Sequence, residues 1–151
     1  MTQPDAIRKL RQLKRSVIVT RMEWIWVALG GAIGAMARYG VSIALPVDPH
    51  GGMPWATLSV NMTGSLLLAI VGAVLLRGRD HGTLSLLIGT GFCGALTTFS
   101  TFAVEAVALF RAGYAATAGM YLAANVLACL LIVWAVFHWV GVPTGPAGGA
   151  P

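Results

Sequence analysis

Between Gly91 and Phe102 the sequence reads Gly-Phe-Cys-Gly-Ala-Leu-Thr-Thr-Phe-Ser-Thr-Phe, which sets two glycines, four hydroxyls and three phenylalanines inside a long apolar segment. Hydroxyls donate hydrogen bonds, and the edge of an aromatic ring carries the positive part of its quadrupole. Such neutral donors suit an anion that must bind and also leave. Phe99 and Phe102 are three apart and share a helix face, while Thr98, Thr101 and Glu105 form a neighbouring stripe at i, i+3 and i+7. Core packing accounts for a lone aromatic pair, but it does not require the hydroxyls interleaved with this one. Asn61 stands six residues into a second apolar segment, followed by Thr63, Gly64 and Ser65. In a later segment Tyr121 and Asn125 lie four apart on one face. An amide at such depth is either helix-to-helix glue or a ligand on a pathway.

The Gly91–Phe102 run also predicts a discontinuity in its own helix. Gly91 and Gly94, followed by Ala95 and the Thr97-Thr98 pair, mark the expected point of the break. A break frees carbonyls on one side and N–H groups on the other, and freed carbonyls coordinate small hard cations such as sodium. The alternative is a plain kink repaired by threonine side chains. Arg38, near the far end of the first apolar stretch, is placed to snorkel to the interface or to a water-filled vestibule. Cys93 and Cys129 lack CxxC or Cys/His neighbours and read as small buried hydrophobes. No nucleophile–base pair or metal-ligand cluster appears, so the sequence does not read as an enzyme.

The elements that position these groups are membrane helices. Hydrophobic residues make up 57% of the 151 residues and charged residues 10%, well under the roughly 25% of a soluble domain. This length leaves room for about four spans and little else. The first is expected from Trp24 to Leu45, too long an apolar stretch for an ordinary signal-peptide core. The loop from Pro46 to Pro54 leads to a second span from Trp55 to Leu76, and the charged turn Arg77–Gly82 to a third from Thr83 to Phe110. After Arg111-Ala112-Gly113 a fourth span runs from Tyr114 to Val140. The expected organisation is thus a basic arm over 1–23, an all-α domain of four transmembrane helices over 24–140 and a disordered Pro/Gly-rich tail over 141–151. Gly30 and Gly34 form a GxxxG pair in the first span, a packing signal rather than a functional one. The net charge of +5 does not indicate a nucleic-acid partner, because Arg8, Lys9, Arg11, Lys14, Arg15 and Arg21 all precede the first span. There they act as a topology signal and an attraction to anionic lipid headgroups.

Three stretches together resemble the Fluc (CrcB) fluoride channels: Gly30–Tyr39, Thr57–Ser65 with its Val-Asn-x-x-Gly pattern, and the Gly91–Phe102 run with Glu105. The resemblance covers about residues 24 to 140 and all four spans in order. It implies a passive channel of a prokaryotic cell membrane, selective for fluoride over chloride, assembled as an antiparallel dimer with two pores at the subunit interface. It also implies a central sodium ion held by the backbone carbonyls of Gly94 and Thr97 from both subunits. Phe99 and Phe102 match the paired phenylalanines along the ion path, and Asn61 the pore-lining asparagine. Ser100, Thr101, Tyr121 and Asn125 fall at polar positions of the track, and Glu105 at an acidic position near its end.

The distribution of cations sets a condition on the dimer. With the N-terminus inside, the six cations of the arm join Arg77 and Arg79 on the cytoplasmic side, against Arg111 outside. That bias favours one orientation, so the expected partner is either a second copy or an oppositely oriented homologue. The main rival reading is a small four-helix proton-coupled multidrug exporter. Such a transporter needs a carboxylate inside the membrane, yet Glu23 lies at the edge of the first span and Glu105 toward the end of the third. A non-conducting scaffold, with its polar residues serving only helix association, is the second rival.

Overall fold

The computed structural model describes residues 3–76 and 82–142, with side chains from Met22 onward. The charged turn residues Arg77 and Arg79, the side chains of the basic arm and residues 143–151 of the expected tail lie outside the described residues. Five helical elements follow one another: α1 (Gln3–Ala44), α2 (Trp55–Leu76), α3 (82–96), α4 (Phe99–Arg111) and α5 (Ala115–Val140). Four stretches are long and apolar enough to cross a membrane: Met22–Ala44, Trp55–Leu76, Gly82–Arg111 and Ala115–Val140. The third contains both α3 and α4 and is interrupted between them.

The arm and the first span form one helix. After Pro4 the sequence holds no proline or glycine until Gly30, so nothing in it terminates the turn that begins there. The first break in chain direction comes at the Pro46–Pro54 loop.

Small residues set the packing, as expected where lipid removes the hydrophobic force between helices. A Cβ on Gly30 would collide with the Leu87 carbonyl, and one on Gly34 with the Phe92 carbonyl. The GxxxG face of α1 therefore lies directly on the backbone of α3. That stretch of α3, Ser85–Cys93, is π-helical, between short α-turns at Gly82–Leu84 and Gly94–Leu96. On the other side of the bundle α2 packs along α5, with Ala69 and Ala73 fully covered. The core joins Leu58 of α2, Phe102, Ala106 and Leu109 of α4, and Ala118 and Tyr121 of α5. Large apolar side chains such as Trp24, Ile33, Met36, Leu130, Leu131 and Trp134 point outward, as a lipid solvent requires.

The sequence marked a stretch from Gly91 to the Thr97-Thr98 pair for the break, and within it the chain parts at the two threonines. Both glycines keep helical geometry, with Gly94 at φ −62° and ψ −32°. Thr97 and Thr98 are extended, at φ −79°, ψ 154° and φ −151°, ψ 118°. Gly91 serves close packing instead: a Cβ there would lie 2.7 Å from the Val27 carbonyl oxygen. The β-branched threonines tolerate extended backbone well, and the Thr98 hydroxyl bonds the N–H that Thr101 releases.

Candidate functional site

Side chains replace several of the helical bonds lost at the break. Thr97 closes α3, its N–H and its Oγ1 both donating to the Cys93 carbonyl, at 3.0 and 2.9 Å. Thr98 is the N-cap of α4, its Oγ1 accepting the Thr101 N–H at 3.1 Å. The same hydroxyl donates to Thr101 Oγ1 at 3.0 Å and lies 3.2 Å from Ser100 Oγ.

Asn61 of α2 faces this cap. Its Oδ1 accepts the Thr98 N–H at 2.8 Å, while Nδ2 donates to the Thr98 carbonyl at 3.3 Å and to Asn125 Oδ1 at 3.0 Å. Asn125 in turn donates to the Tyr121 carbonyl one turn back on α5, at 3.4 Å. Gly64, one turn along α2 from Asn61, makes room for the break: a Cβ there would collide with the Thr97 methyl. From α1, Arg38 Nε donates to the Ala95 carbonyl at 3.0 Å. Among the described residues no hydrogen bond reaches the carbonyl oxygens of Gly94 or Thr97.

Below the cap Glu105 gathers two hydroxyls. Tyr121 donates to Oε2 at 2.6 Å and Thr57 to Oε1 at 3.0 Å. Tyr121 is wholly buried, and its ring meets Phe102 edge-on with centroids 5.2 Å apart. Phe99 completes the aromatic series, 5.6 Å from Phe102 and also edge-on. Yet Phe99 is 78% exposed and Phe102 only 5%. The pair shares a helix face but not an environment.

Two cavities meet at Thr98. A groove of about 380 Å³ is lined by Asn61, Ser65, Thr97, Phe99, Phe102, Asn125 and Cys129, among others. On the other side a cavity of about 300 Å³ holds Arg38, Tyr39, Ser42, Thr57, Thr101 and Glu105. The sequence-predicted residues thus divide between them: Asn61, Phe99, Phe102, Asn125 and Thr97 fall in the first, Arg38, Thr101 and Glu105 in the second. Tyr121 lies buried behind both, and Ser100 sits exposed beside the cap. Among the described residues no cluster of three His, Cys, Asp or Glu side chains is close enough to hold a metal.

Thr57 and Thr98 carry more of the site than the sequence reading assigned them. Thr57 lies four residues before Asn61, so the i, i+4 rule places both on one face of α2. That spacing was the signal available for it. Thr98 had an extra one: a hydroxyl three residues ahead of another, in a helix-starting context.

The model of the family described as CrcB-like protein, Camphor Resistance (CrcB), matches residues 25–137. The chain belongs to the CrcB family. The match runs through all four spans and both cavities. CrcB relatives include a protein of Streptomyces coelicolor named Fluoride-specific ion channel FluC 1, 44% identical over 109 residues, which are 72% of this chain and 70% of the relative. Another, from Rhodococcus jostii, is named Fluoride-specific ion channel FluC 2 and is 42% identical over 117 residues, 78% of this chain and 97% of its own. A third, Fluoride-specific ion channel FluC of Idiomarina loihiensis, is 40% identical over 114 residues, 76% of this chain and 88% of its own. With this CrcB membership the four apolar helices are those of a multi-pass membrane protein.

Proposed function

We propose that this chain is a passive fluoride-selective channel, not an enzyme, that lets fluoride leave the cytoplasm across the cell membrane and so lowers its toxicity. One observation carries the reading: Asn61, Phe99, Phe102 and Asn125 converge on one groove that Thr97 and Thr98 of the break also line. Fluoride is small and tightly hydrated, so close donors must replace its water, and neutral ones avoid a trap. The names of the relatives point to the same ion. The proposed track includes Asn61, Phe99, Ser100, Thr101, Phe102, Glu105, Tyr121 and Asn125. At Glu105 the hydroxyls of Thr57 and Tyr121, now turned on the carboxylate, are the donors a passing anion would take over. With both its oxygens engaged in this way, Glu105 offers little to a proton-coupled drug exporter.

The exposed Phe99 ring and the outward Gly94 support an antiparallel dimer built on this face. The Gly94 and Thr97 carbonyls, without hydrogen-bond donors among the described residues, fit a sodium ion there. Two oxygens fall short of the roughly six that a hard cation gathers, so a second subunit would supply more. Bound at that place, the ion would lend positive potential to the anion path and tie the subunits together. The partner is a second copy or, given the cation bias of the loops, an oppositely oriented homologue.

Efflux from liposomes carrying the purified chain, with a potassium ionophore to release the voltage, tests the reading. Rapid fluoride loss without chloride loss is expected, slowed when sodium is replaced by a bulky organic cation. A folded sample that passes no fluoride, alone or co-expressed with an oppositely oriented homologue, overturns it.

A further inference from the structure

The broken conformation is held by substitutes for the helical bonds it forgoes. In a continuous α-helix the Thr98 N–H would bond the Gly94 carbonyl, and the Phe99 N–H the Ala95 carbonyl. Asn61 Oδ1 takes the donor of the first pair at 2.8 Å, and Arg38 Nε occupies the acceptor of the second at 3.0 Å. The two clamps come from different helices, α2 and α1, and act on adjacent bonds. Each blocks re-formation of one turn.

We propose that Arg38 is a positioning residue for the break, acting through its Nε–H on the Ala95 carbonyl rather than through its charge. The bond is partly buried, so without it the Ala95 carbonyl either recaptures the Phe99 N–H or stays unpaired away from water. Ala95 follows Gly94 and precedes Thr97, whose carbonyls form the proposed cation site, and Phe99 opens the next helix. One side-chain bond therefore fixes both the carbonyl ligands and the ring at the groove. That consequence rests on the channel reading; the clamp itself rests on the fold.

Chain length separates the bond from the charge. Glutamine carries its amide nitrogen at the same number of bonds from the backbone as the arginine Nε, and has no charge. Lysine keeps the charge but has a methylene at that step. Hydrogen–deuterium exchange of the peptide spanning the break, measured on the full chain in detergent, reads the clamp directly. Arg38→Gln is expected to exchange like the wild type, and Arg38→Lys to depart from it by about tenfold, the effect of losing one hydrogen bond to a partly buried carbonyl. Arg38→Met, which also lacks a donor at that step, replaces Arg38→Lys if the lysine variant does not purify, and the same order is required. A glutamine variant that departs as far as the lysine variant, or a lysine variant that behaves as wild type, overturns the proposal. If the wild type passes no fluoride, the channel reading fails while this comparison still decides the clamp.

Discussion

Asn61 Oδ1 lies 2.8 Å from the Thr98 nitrogen, and through that contact a side chain of α2 takes the place of a backbone acceptor in the third span. Both donors of the amide are spent as well, on Thr98 O and Asn125 Oδ1. Asn61 therefore shapes the break and ties α2 to α5. Of the two roles left open by sequence, glue and pathway ligand, these bonds carry the first, and the second belongs to the proposed channel.

Asn61→Ala removes all three bonds and leaves the Asn125 amide and the Thr98 backbone groups without their partner. A loss of about 2 kcal/mol or more in stability is expected, read as a lower thermal midpoint in detergent, together with fluoride efflux reduced at least about tenfold. Asn61→Asp keeps the acceptor for the Thr98 N–H but turns a carboxylate toward the Thr98 carbonyl and Asn125 Oδ1. It should be no milder than alanine. A conducting, stable Asn61→Asp would show that the donor side of the amide is idle.

Phe99 and Phe102 look equivalent in the sequence and differ in the fold. Phe102 sits in the core against Tyr121 and Leu58, so Phe102→Ala should cost about 3 kcal/mol. Phe99 is exposed, and Phe99→Ile should leave the stability of the single chain within about 0.5 kcal/mol. Both are expected to slow fluoride efflux. Thermal unfolding beside efflux separates them, and a strongly destabilised Phe99→Ile would place that ring in a packed environment.

The same contrast shows how far the sequence carried. Span limits were readable because apolar runs end at prolines, glycines and arginines: the expected second span, Trp55–Leu76, is α2 to the residue. The face shared by Tyr121 and Asn125 followed from helical periodicity. The break lies within the stretch marked from Gly91 to Thr98, but its place at the threonines was not readable from glycine content, because glycine in a membrane helix answers two needs, freedom of the backbone and room for a neighbour. Gly91 answers the second. Nor could spacing alone show that Arg38 reaches Ala95, a contact across 57 residues of chain.

Tyr121 and Thr57 hold the same carboxylate unequally. Tyr121 is wholly buried and its bond to Glu105 is 2.6 Å, against 3.0 Å from Thr57; the shorter contact has the length of a charge-assisted bond. Tyr121→Phe, which removes only the hydroxyl, should cost about 1–3 kcal/mol. Thr57→Val should cost less. Denaturation of the two variants and of the double variant gives the comparison, and equal costs would mean that bond length here does not track energy.

Gly94 and Gly34 offer a test of what covers the break. A Cβ on Gly34 would collide with the Phe92 carbonyl, a backbone atom that cannot swing aside, whereas a Cβ on Gly94 meets nothing within 4 Å of its own chain. Gly34→Val should therefore prevent folding outright. Gly94→Ala should be accepted by the single chain, and even favoured slightly by helix propensity. If a second subunit packs on this face, Gly94→Ala will instead weaken association, seen as a shift toward monomer by light scattering in detergent. An unchanged dimer with unchanged efflux would remove Gly94 from the interface.

The two cysteines report on whether the groove opens to water. Cys129 lines it beside Asn125 and Phe99, while Cys93 is 1% exposed beneath the break. A charged methanethiosulfonate reagent attacks the thiolate, so it needs both access and water at the sulfur. Modification is expected at Cys129 and not at Cys93, and the added group should slow fluoride efflux because it occupies part of a cavity of only about 380 Å³. Cys129→Ser should retain most of the efflux and become insensitive to the reagent. If the reagent leaves the wild type unlabelled, the groove is closed to water from Cys129 onward, and any anion path must run along the Thr98, Thr101 and Glu105 side alone.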